Sequence, residues 1–568
     1  MPETSTIPEW EWDASHTPLP LTPSFGSVYP RWMEEALRVT FREFGMLPAG
    51  IEMRLRDGYT FTRVMPVGLP FVPPAWFTRI ALRFWWLHPA VVRRVRTAMR
   101  RVRDDHGSTL LRRWHMSWRP AIVAEQRRLR EARLADLTDD ELADHISRLI
   151  EQTGRWVTVH FLLHGAISIP LFALDQFLNT RPAAEGIRTD ELVQGSSPAS
   201  STPARVLRDV AALLHSEPDL VDRAAARSMT DGLTLLQSEC RPFAEEFARY
   251  LSRFGHGIAG RYEFIVPALG EQPERLLPAV LAAARAGPQA GEQPDQRADR
   301  LVDAIASRLA EQNDERRFRE LVGAARRAYA VRDDNVQVTF LDAFGLCRIY
   351  LLEAGNRLTK RGAISATDDI FFLTVPETAR VLRRAQHLSP DLIISRRRHW
   401  SAAIENPPPQ GTGRTIPLVD FRGLPDEARA VNLAVVRYMR EIMAASDVYA
   451  EPSGSEAVIR GVGAVRGRYA GIARVLRGEE EFDRLAPGEV LVCEMTSPAW
   501  APVLPLAGAL VTDHGGLLSH PAVIAREFGI PAVVATRRGT RLIPDGAVVE
   551  VDGIEGVVRI LDHDQPRA

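Results

Sequence analysis

Cysteine and lysine are both scarce in this sequence, and each scarcity excludes a kind of chemistry. The 568 residues include three cysteines, Cys240, Cys347 and Cys493, and no CxxC pair. A disulfide framework and a cysteine-rich zinc site are therefore excluded, and a reducing compartment is indicated. Lys360 is the one lysine, so the sequence has no Walker-type loop, in which a lysine follows a glycine-rich turn. Its arginine-flanked position is typical of a solvated helix end, which disfavours Schiff-base chemistry.

A basic leader, a long apolar segment and a charge imbalance are also missing. The first residues lack the basic and apolar regions of a signal peptide. The longest apolar runs, Phe161–Leu174 and Pro498–Val511, fall short of the roughly 20 residues that span a bilayer. Because 71 basic residues nearly balance 72 acidic ones, no overall field favours nucleic acid or an anionic membrane. These absences predict a cytoplasmic protein that binds neither nucleic acid nor a membrane.

The spacing of apolar residues changes near Ser455, which divides this long chain into different kinds of domain. Between Tyr29 and Arg398, apolar residues recur every three or four positions and predict long helices, among them Arg94–Leu134 and Asp139–Leu162. Beyond Ser455, short Val and Ile runs alternate with glycines and predict strands. We therefore predict a multidomain protein, with a large mainly helical domain over residues 1–450, a hinge over 451–455 and a small α/β domain over 456–562.

Aromatic residues concentrate near the start of the chain, where nine of the 11 tryptophans lie within the first 160 residues. They indicate either a large helical core or an apolar pocket for an aromatic ligand. His160 and His164 are four residues apart and share a helix face, but no HExxH motif or third ligand accompanies them. We predict no metal site there, and expect His160, His164 and Trp156 to line the pocket.

The segment from Leu510 to Val534 carries the most chemical information. It is predicted to form a strand, a glycine turn, a helix and a second strand. Pro521 favours the first helical turn and pushes His520 to the mouth of the helix, while Gly529 is suited to the position just after the helix.

A histidine at such a mouth faces free backbone N–H groups and the positive end of the helix dipole. These disfavour imidazolium, leave the nucleophilic neutral ring and attract a phosphate. Gly515 and Gly516 let the backbone approach a phosphoryl group, and Ser519 can donate a hydrogen bond or cap the helix. The alternative is that His520 merely caps a buried turn.

The string GGLLSHPAVIAREFGIPAVV, residues 515–534, closely resembles the phosphohistidine signature of the PEP-utilising enzyme superfamily, which includes phosphoenolpyruvate synthase and pyruvate phosphate dikinase. The resemblance extends over essentially all of residues 455–562. It implies a swivelling β/β/α domain that moves between two distant sites and carries a phosphoryl group on His520. Gly515, Gly516, Ser519 and Thr496 are then the residues expected to bind the phosphate.

The helical part resembles the substrate domain of rifamycin phosphotransferases, through Phe254-Gly255-His256, Glu263 and the stretch from Gly355 to Thr374. This resemblance implies that Arg332 clamps the phosphate. Asp333 or Asp334 would then orient the acceptor, and His256 is a candidate general base. A charged helix surface and an ordinary core histidine are the alternatives. No alternating βα pattern predicts the TIM barrel of the dikinases, so pyruvate is not the expected substrate.

No segment resembles the ATP-grasp domain that single-chain members of the superfamily carry. The sequence is in this respect similar to split systems such as phenylphosphate synthase, which implies a separate ATP-grasp partner that binds ATP and Mg²⁺. Three functions stay open: a phosphotransferase acting on a hydroxyl or carboxylate of an apolar small molecule, a phosphorylation-coupled dehydratase or condensing enzyme in secondary metabolism, and a non-catalytic binding module.

Overall fold

A computed structural model gives the architecture of most of the chain. The residues that it describes are 6–13, 17–68, 87–259, 261–286, 294–309, 311–384, 387–408, 411–417, 421, 423–443, 458–496, 500, 503–517 and 519–561. They form two compact units, which are described separately. The first unit comprises Met1–Phe172, Arg261–Pro267 and Asn335–Arg437, and the second comprises Ala173–Gly260, Ala268–Asp334 and Tyr438–Ala568.

Helices dominate the chain up to residue 443. In order they are α1 (Pro23–Gly26), α2 (Tyr29–Glu43), α3 (Pro89–Arg103), α4 (His106–Arg113), α5 (Arg119–Arg130), α6 (Asp139–Asn179), α7 (Thr189–Leu192), α8 (Pro198–Ala212), α9 (Pro218–Ala225), α10 (Met229–Glu239), α11 (Arg241–Phe254), α12 (Leu277–Ala286), α13 (Pro294–Ala306), α14 (Gln312–Val336), α15 (Asp342–Lys360), α16 (Val375–Leu382), α17 (Pro390–Glu405) and α18 (Asp426–Met443). Two π-helical turns, Trp114–Trp118 and Gln337–Leu341, adjoin these helices, and short 3₁₀ turns lie at Leu134–Asp136, Pro182–Ala184, Leu269–Glu271, Pro273–Leu276 and Thr367–Phe372.

The long helix predicted over Arg94–Leu134 is wrong in its continuity. The structure breaks it after Arg103, where Asp105 adopts a left-handed conformation, and again at the π-helical turn Trp114–Trp118. The apolar spacing persists across both breaks, because each resulting helix still buries one face.

A four-stranded antiparallel sheet in the first unit was not predicted. Its strands are β1 (Thr6–Trp12), β2 (Pro48–Arg56), β3 (Tyr59–Pro66) and β4 (Gly411–Pro417), in the order β2-β3-β1-β4. Asp57 and Gly58, both with positive φ, form the two-residue turn that joins β2 to β3. Asp-Gly between alternating apolar residues is a strong hairpin signal, and here it interrupts a helical sequence pattern.

Helix α6 is, within the described ranges, the one helix long and apolar enough to cross a membrane by length and composition. Its most apolar 18-residue stretch has a mean hydropathy of 1.8, and 61% of that stretch is buried inside the protein. The same properties are found in the core helix of a soluble protein. The helix continues past the Phe161–Leu174 run, so the sequence underestimated the length of this apolar segment.

The C-terminal domain, residues 458–561, is built on an eight-stranded sheet in the second unit. Its strands are β5 (Val458–Arg460), β6 (Val462–Val465), β7 (Arg468–Leu476), β8 (Val490–Cys493), β9 (Ala509–Thr512), β10 (Ala532–Val534), β11 (Val548–Asp552) and β12 (Val557–Ile560), in the order β5-β12-β11-β7-β8-β9-β10-β6. Helices α19 (His520–Glu527) and α20 (Gly539–Leu542) and 3₁₀ turns at Glu479–Arg484 and Leu504–Leu506 connect them. The predicted fold class, a large mainly helical region followed by a small α/β domain, is confirmed. The predicted hinge at 451–455 lies outside the described residues.

The central strands β7 to β10 run parallel. Within this set, β8, β9 and β10 are buried on both faces. One face of the sheet packs Val490, Val492 and Val511 into a core, while Leu491 and Leu510 face the core that includes α19. Burial on both faces explains why these strands are continuous apolar runs rather than alternating ones. The carboxyl end of β9, at Thr512, leads directly into the loop before α19.

Candidate functional site

His520 is the first residue of α19, as the sequence predicted. Ser519 precedes it in extended conformation, with φ −72° and ψ 162°, and Pro521 occupies the first turn. Gly529 follows the helix with φ +67°, and the Ile530 N–H donates to the Ala525 carbonyl at 2.9 Å. The helix therefore begins and ends where proline and glycine require it to.

The loop before His520 depends on a glycine at position 515. Gly515 has φ +113°, and a Cβ there would lie 2.6 Å from Ser519 Oγ. Ser519 donates from its hydroxyl to the Gly516 carbonyl at 2.7 Å and from its backbone N–H to the same oxygen at 3.0 Å. Its side chain makes no cap hydrogen bond to the helix, and binding of phosphate by Ser519 stays a prediction.

His520 as a residue is partly exposed, and its Nδ1 lies 3.1 Å from Thr496 Oγ1. Thr496 is itself buried and follows β8. When Nδ1 carries the proton and donates to this hydroxyl, the lone pair lies on Nε2. Thr496, expected to bind phosphate, thus orients the imidazole in this structure.

Burial lowers the pKa of His520 from 6.5 to about 4. The Asp333 carboxylate and the Thr496 backbone oppose this change, and the Arg332 guanidinium adds to it. The ring is therefore neutral, and hence nucleophilic, near pH 7. These interactions also bring together His520 and the two acceptor-site residues predicted from the helical part, all within the second unit.

Arg332 and Asp333 are buried in α14 rather than displayed on a charged helix surface. Arg332 Nη1 lies 3.1 Å from Asp333 Oδ1, and the Ser197 hydroxyl donates to Asp333 Oδ2 at 3.1 Å. The guanidinium carbon of Arg332 is 5.9 Å from the centre of the Tyr329 ring. Such a buried, hydrogen-bonded pair is rigid and suited to holding an anion or an acceptor hydroxyl.

His256 lies in the turn that follows α11 in the second unit and is partly exposed. The turn is closed by hydrogen bonds from Gly270 N–H to the Gly255 carbonyl at 2.8 Å and from Leu269 N–H to the Gly257 carbonyl at 3.1 Å. The interactions found for His520 are with Thr496, Arg332 and Asp333, so the role of His256 as a general base stays a prediction.

Trp156, His160 and His164 are buried along α6 in the first unit. The two imidazole rings are 4.1 Å apart, as their shared helix face predicted, and His160 Nδ1 lies 3.2 Å from Thr339 Oγ1. The Phe340 ring is 4.2 Å from that of His160. This environment is that of polar core histidines among aromatic rings, and their contact with a substrate stays a prediction.

No group of three or more His, Cys, Asp or Glu residues in the described parts of the chain could hold a metal ion. In the second unit, a pocket of about 450 Å³ opens beside α8 and α12. Its lining is mostly apolar, with Arg208 and Arg285 among its polar residues. None of the residues that interact with His520 lines this pocket.

Sequence reasoning missed Asp513, which anchors the beginning of the glycine loop. Its buried carboxylate accepts hydrogen bonds from Thr536 Oγ1 at 2.9 Å and from the Thr540 N–H at 3.2 Å and hydroxyl. His514 follows it, and burial lowers the pKa of this histidine. The available signal was the Asp-His pair between β9 and Gly515, at the carboxyl end of a parallel strand, where side chains of such sheets collect.

Two family models match the chain. Residues 485–556 match the mobile domain of PEP-utilising enzymes, and residues 160–333 match the fourth domain of rifampicin phosphotransferase. His520 lies within the first match, and Arg332 and Asp333 end the second. The resemblance predicted from the sequence is confirmed.

Curated relatives match longer stretches of the chain. It is 29% identical over 406 residues to the rifampicin phosphotransferase of Streptomyces sviceus, which covers 68% of this chain and 42% of that protein. It is 32% identical over 216 residues to the uncharacterised phosphotransferase YvkC of Bacillus subtilis, covering 38% and 24% respectively. A probable phosphoenolpyruvate synthase of Archaeoglobus fulgidus is 37% identical over 131 residues, covering 22% and 17%. The chain thus spans less than half the length of these relatives.

Proposed function

We propose that this chain, which contains a PEP-utilising mobile domain and a rifampicin phosphotransferase fourth domain, is a phosphotransferase component that carries a phosphoryl group on His520. One observation carries the proposal: a neutral imidazole at a helix N-terminus interacts electrostatically with the buried Arg332–Asp333 pair. The pairing of a phosphate carrier with a cationic clamp is what transfer to an acceptor requires.

In the first step, Nε2 attacks a phosphorus atom of ATP while Nδ1 stays protonated against Thr496 Oγ1. The N–P bond forms, the bond between that phosphorus and its bridging oxygen breaks, and the remaining part of the nucleotide leaves. The N–H groups at the start of α19 favour a phosphoryl anion at this position. Covalent storage on nitrogen divides one difficult transfer into two easier ones.

In the second step, an acceptor hydroxyl or carboxylate of an apolar small molecule attacks the phosphorus and the N–P bond breaks. Arg332 stabilises the charge on the transferring oxygens, since phosphoryl transfer depends mainly on positioning and electrostatics. Asp333 orients a hydroxyl acceptor and His256 accepts its proton. Both ring nitrogens of His520 return to their starting protonation state.

ATP and Mg²⁺ belong to a separate ATP-grasp partner in this proposal. It is supported by the sequence, which has one lysine and no segment that resembles an ATP-grasp domain. The mobile domain then receives the phosphoryl group at the partner and delivers it at the Arg332–Asp333 site.

The test combines the chain with candidate ATP-grasp proteins from the same genome, Mg-ATP and a panel of apolar hydroxyl and carboxylate compounds. We expect product that has gained one phosphoryl group, no product with His520→Ala, and normal product with His115→Ala, a matched change at an exposed histidine. Loss of water from the product would favour the dehydratase instead. Unchanged turnover in His520→Ala would contradict both.

A further inference from the structure

A buried cluster of ionic contacts links α19 to α7 in the second unit. Arg526, near the end of α19, lies 2.6 Å from Asp190 Oδ2, and both side chains are 5% exposed. Arg188 contacts the same carboxylate through Nε at 3.0 Å and Nη2 at 2.5 Å. Burial alone would raise the pKa of Asp190, but Arg526 and Arg188 lower it below its ordinary value. Asp190 is therefore ionised and bridges two arginines.

The same arginines reach the backbone of the C-terminal domain. Arg526 Nη2 donates to the Leu517 carbonyl at 2.9 Å, in the loop that precedes His520. Arg188 donates to the carbonyls of Gly463 at 2.7 Å and Ala464 at 2.8 Å. Asp190 thus fixes Arg526, and Arg526 fixes the loop that carries the histidine.

Two further contacts join the segment 188–195 to the last turn of α19. Gln194 Nε2 donates to the Arg526 carbonyl, and the Gly195 N–H donates to Glu527 Oε1 at 2.9 Å. The helix carbonyls and the carboxylate at this end would otherwise need water as a partner. All these groups are polar or charged, so they regain hydrogen bonds with water when the contact opens.

We propose that Asp190 is a positioning residue: through Arg526 it holds α19 and the His520 loop against the segment 188–195, and so keeps His520 near Arg332 and Asp333. The contacts of Asp190, Gln194 and Gly195 with Arg526 and Glu527 are called the latch below. The inference rests on the proposed function, in which the C-terminal domain leaves this arrangement to collect its phosphoryl group. The Asp190–Arg526 contact then opens and closes in each cycle, together with the apolar packing of α19 in the same unit. None of the residues in this latch touches the reacting atoms.

If Asp190 has this role, removing its charge should open the contact between α19 and the segment 188–195 without unfolding the rest of the domain. Asp190→Asn keeps the shape of the side chain but leaves Arg526 without its buried counter-charge, which is strongly unfavourable. Opening of the contact relieves this by returning Arg526 to water. We therefore expect amide hydrogen exchange in 188–195 and 515–529 to rise at least about tenfold, with exchange in β8 and β9 unchanged.

Matched variants separate the latch from a general loss of stability. Asp222→Asn removes one member of an exposed ion pair with Arg285 in the same unit and should leave exchange unchanged. Asp190→Glu retains the charge and should restore exchange to within about threefold of the wild type. Exchange in Asp190→Asn equal to the wild type would overturn the latch, and so would a rise throughout β8 and β9, which would show that Asp190 serves only to fold the domain.

Labelled phosphoramidate, a small donor that phosphorylates accessible histidines, distinguishes failure of the latch from failure of the proposed function. We expect His520 to be labelled in the wild type and labelled several times faster in Asp190→Asn, since opening exposes the partly buried ring. Absence of label at His520 in every variant would contradict the proposed function, whatever the exchange shows. Label at His520 with equal rates and equal exchange in both proteins would overturn the latch alone.

Discussion

Burial sets the protonation state of His520, because the effects of the neighbouring charges on the pKa of the ring oppose each other. The pKa of the ring falls to about 4 because of burial, although Asp333 opposes the shift and Arg332 favours it. A lowered histidine pKa means that the unfolded chain binds the proton more tightly. The contribution of the neutral His520 ring to the free energy of unfolding is thus complete above pH 6.5 and is lost as the pH falls through 4.

The ring of His520 should therefore titrate near pH 4 in the folded protein. The measurement is an NMR titration of the labelled imidazole, assigned by comparison with His520→Asn. A midpoint near 6.5, the ordinary value for histidine, would show that the ring is solvated rather than held in this site.

Thr496 favours the tautomer with the proton on Nδ1 by accepting a hydrogen bond from that nitrogen at its hydroxyl oxygen, so the hydroxyl should matter more than the bulk of the side chain. Thr496→Val keeps the shape, and we expect phosphorylation of His520 to slow about five- to tenfold, the effect of one hydrogen bond. Thr496→Ser retains the hydroxyl and serves as the control. Equal rates in the Val and Ser variants would exclude this role.

At the scale of elements, the loop from β9 to α19 is shaped by a backbone conformation that side chains oppose. Gly515→Ala meets both the positive φ and the 2.6 Å approach of Ser519 Oγ, whereas Gly546→Ala meets a φ of +84° with no atom within 4 Å. We expect the first to cost at least about 1 kcal/mol more than the second. Amide exchange in β8 and β9 measures both, and equal costs would contradict the crowding.

Glu527, at the end of α19, makes the contact with 188–195 sensitive to pH. Burial raises its pKa from 4.5 to about 7; Asp333 and Asp295 add to the rise, while the Gly195 N–H and Arg526 oppose it. A raised pKa stabilises the folded state fully below pH 4.5, and this contribution is lost as the pH rises through 7.

The free energy of unfolding should accordingly fall, relative to that of Glu527→Gln, as the pH is raised from about 5 to about 8. Urea denaturation of both proteins across this range gives the difference directly. A difference that stays constant with pH would show that the carboxyl group does not titrate there.

The sequence predicted the start and end of α19 well, because Pro521 and Gly529 act locally through their own backbone preferences. It failed at β2 and β3, where Asp57-Gly58 marked a hairpin inside a helical pattern. It also failed to foresee Asp190, since nothing near this residue in sequence indicates that its counter-charge, Arg526, lies more than 300 residues away. Pairing of distant charges depends on the tertiary fold, which local propensity does not encode.

At the scale of the whole molecule, the change from helical to strand-like spacing was enough to predict two kinds of domain. It did not predict that the C-terminal domain forms one compact unit with Ala173–Gly260 and Ala268–Asp334. Burial of Arg332 and Asp333 and their electrostatic effect on His520 follow from that arrangement. The acceptor-site residues, known beforehand only through resemblance, thereby acquire a physical link to the proposed carrier.

The central claim is that His520 is the residue that carries the phosphoryl group, and one measurement tests this claim most directly. Wild type and His520→Asn are incubated with labelled Mg-ATP and the ATP-grasp partner, and phosphate bound to the protein is mapped by mass spectrometry and by its stability in acid and alkali. The account predicts acid-labile, alkali-stable phosphate on His520 and none in His520→Asn. Phosphate that is acid-stable, or equal labelling of the two proteins, would contradict it.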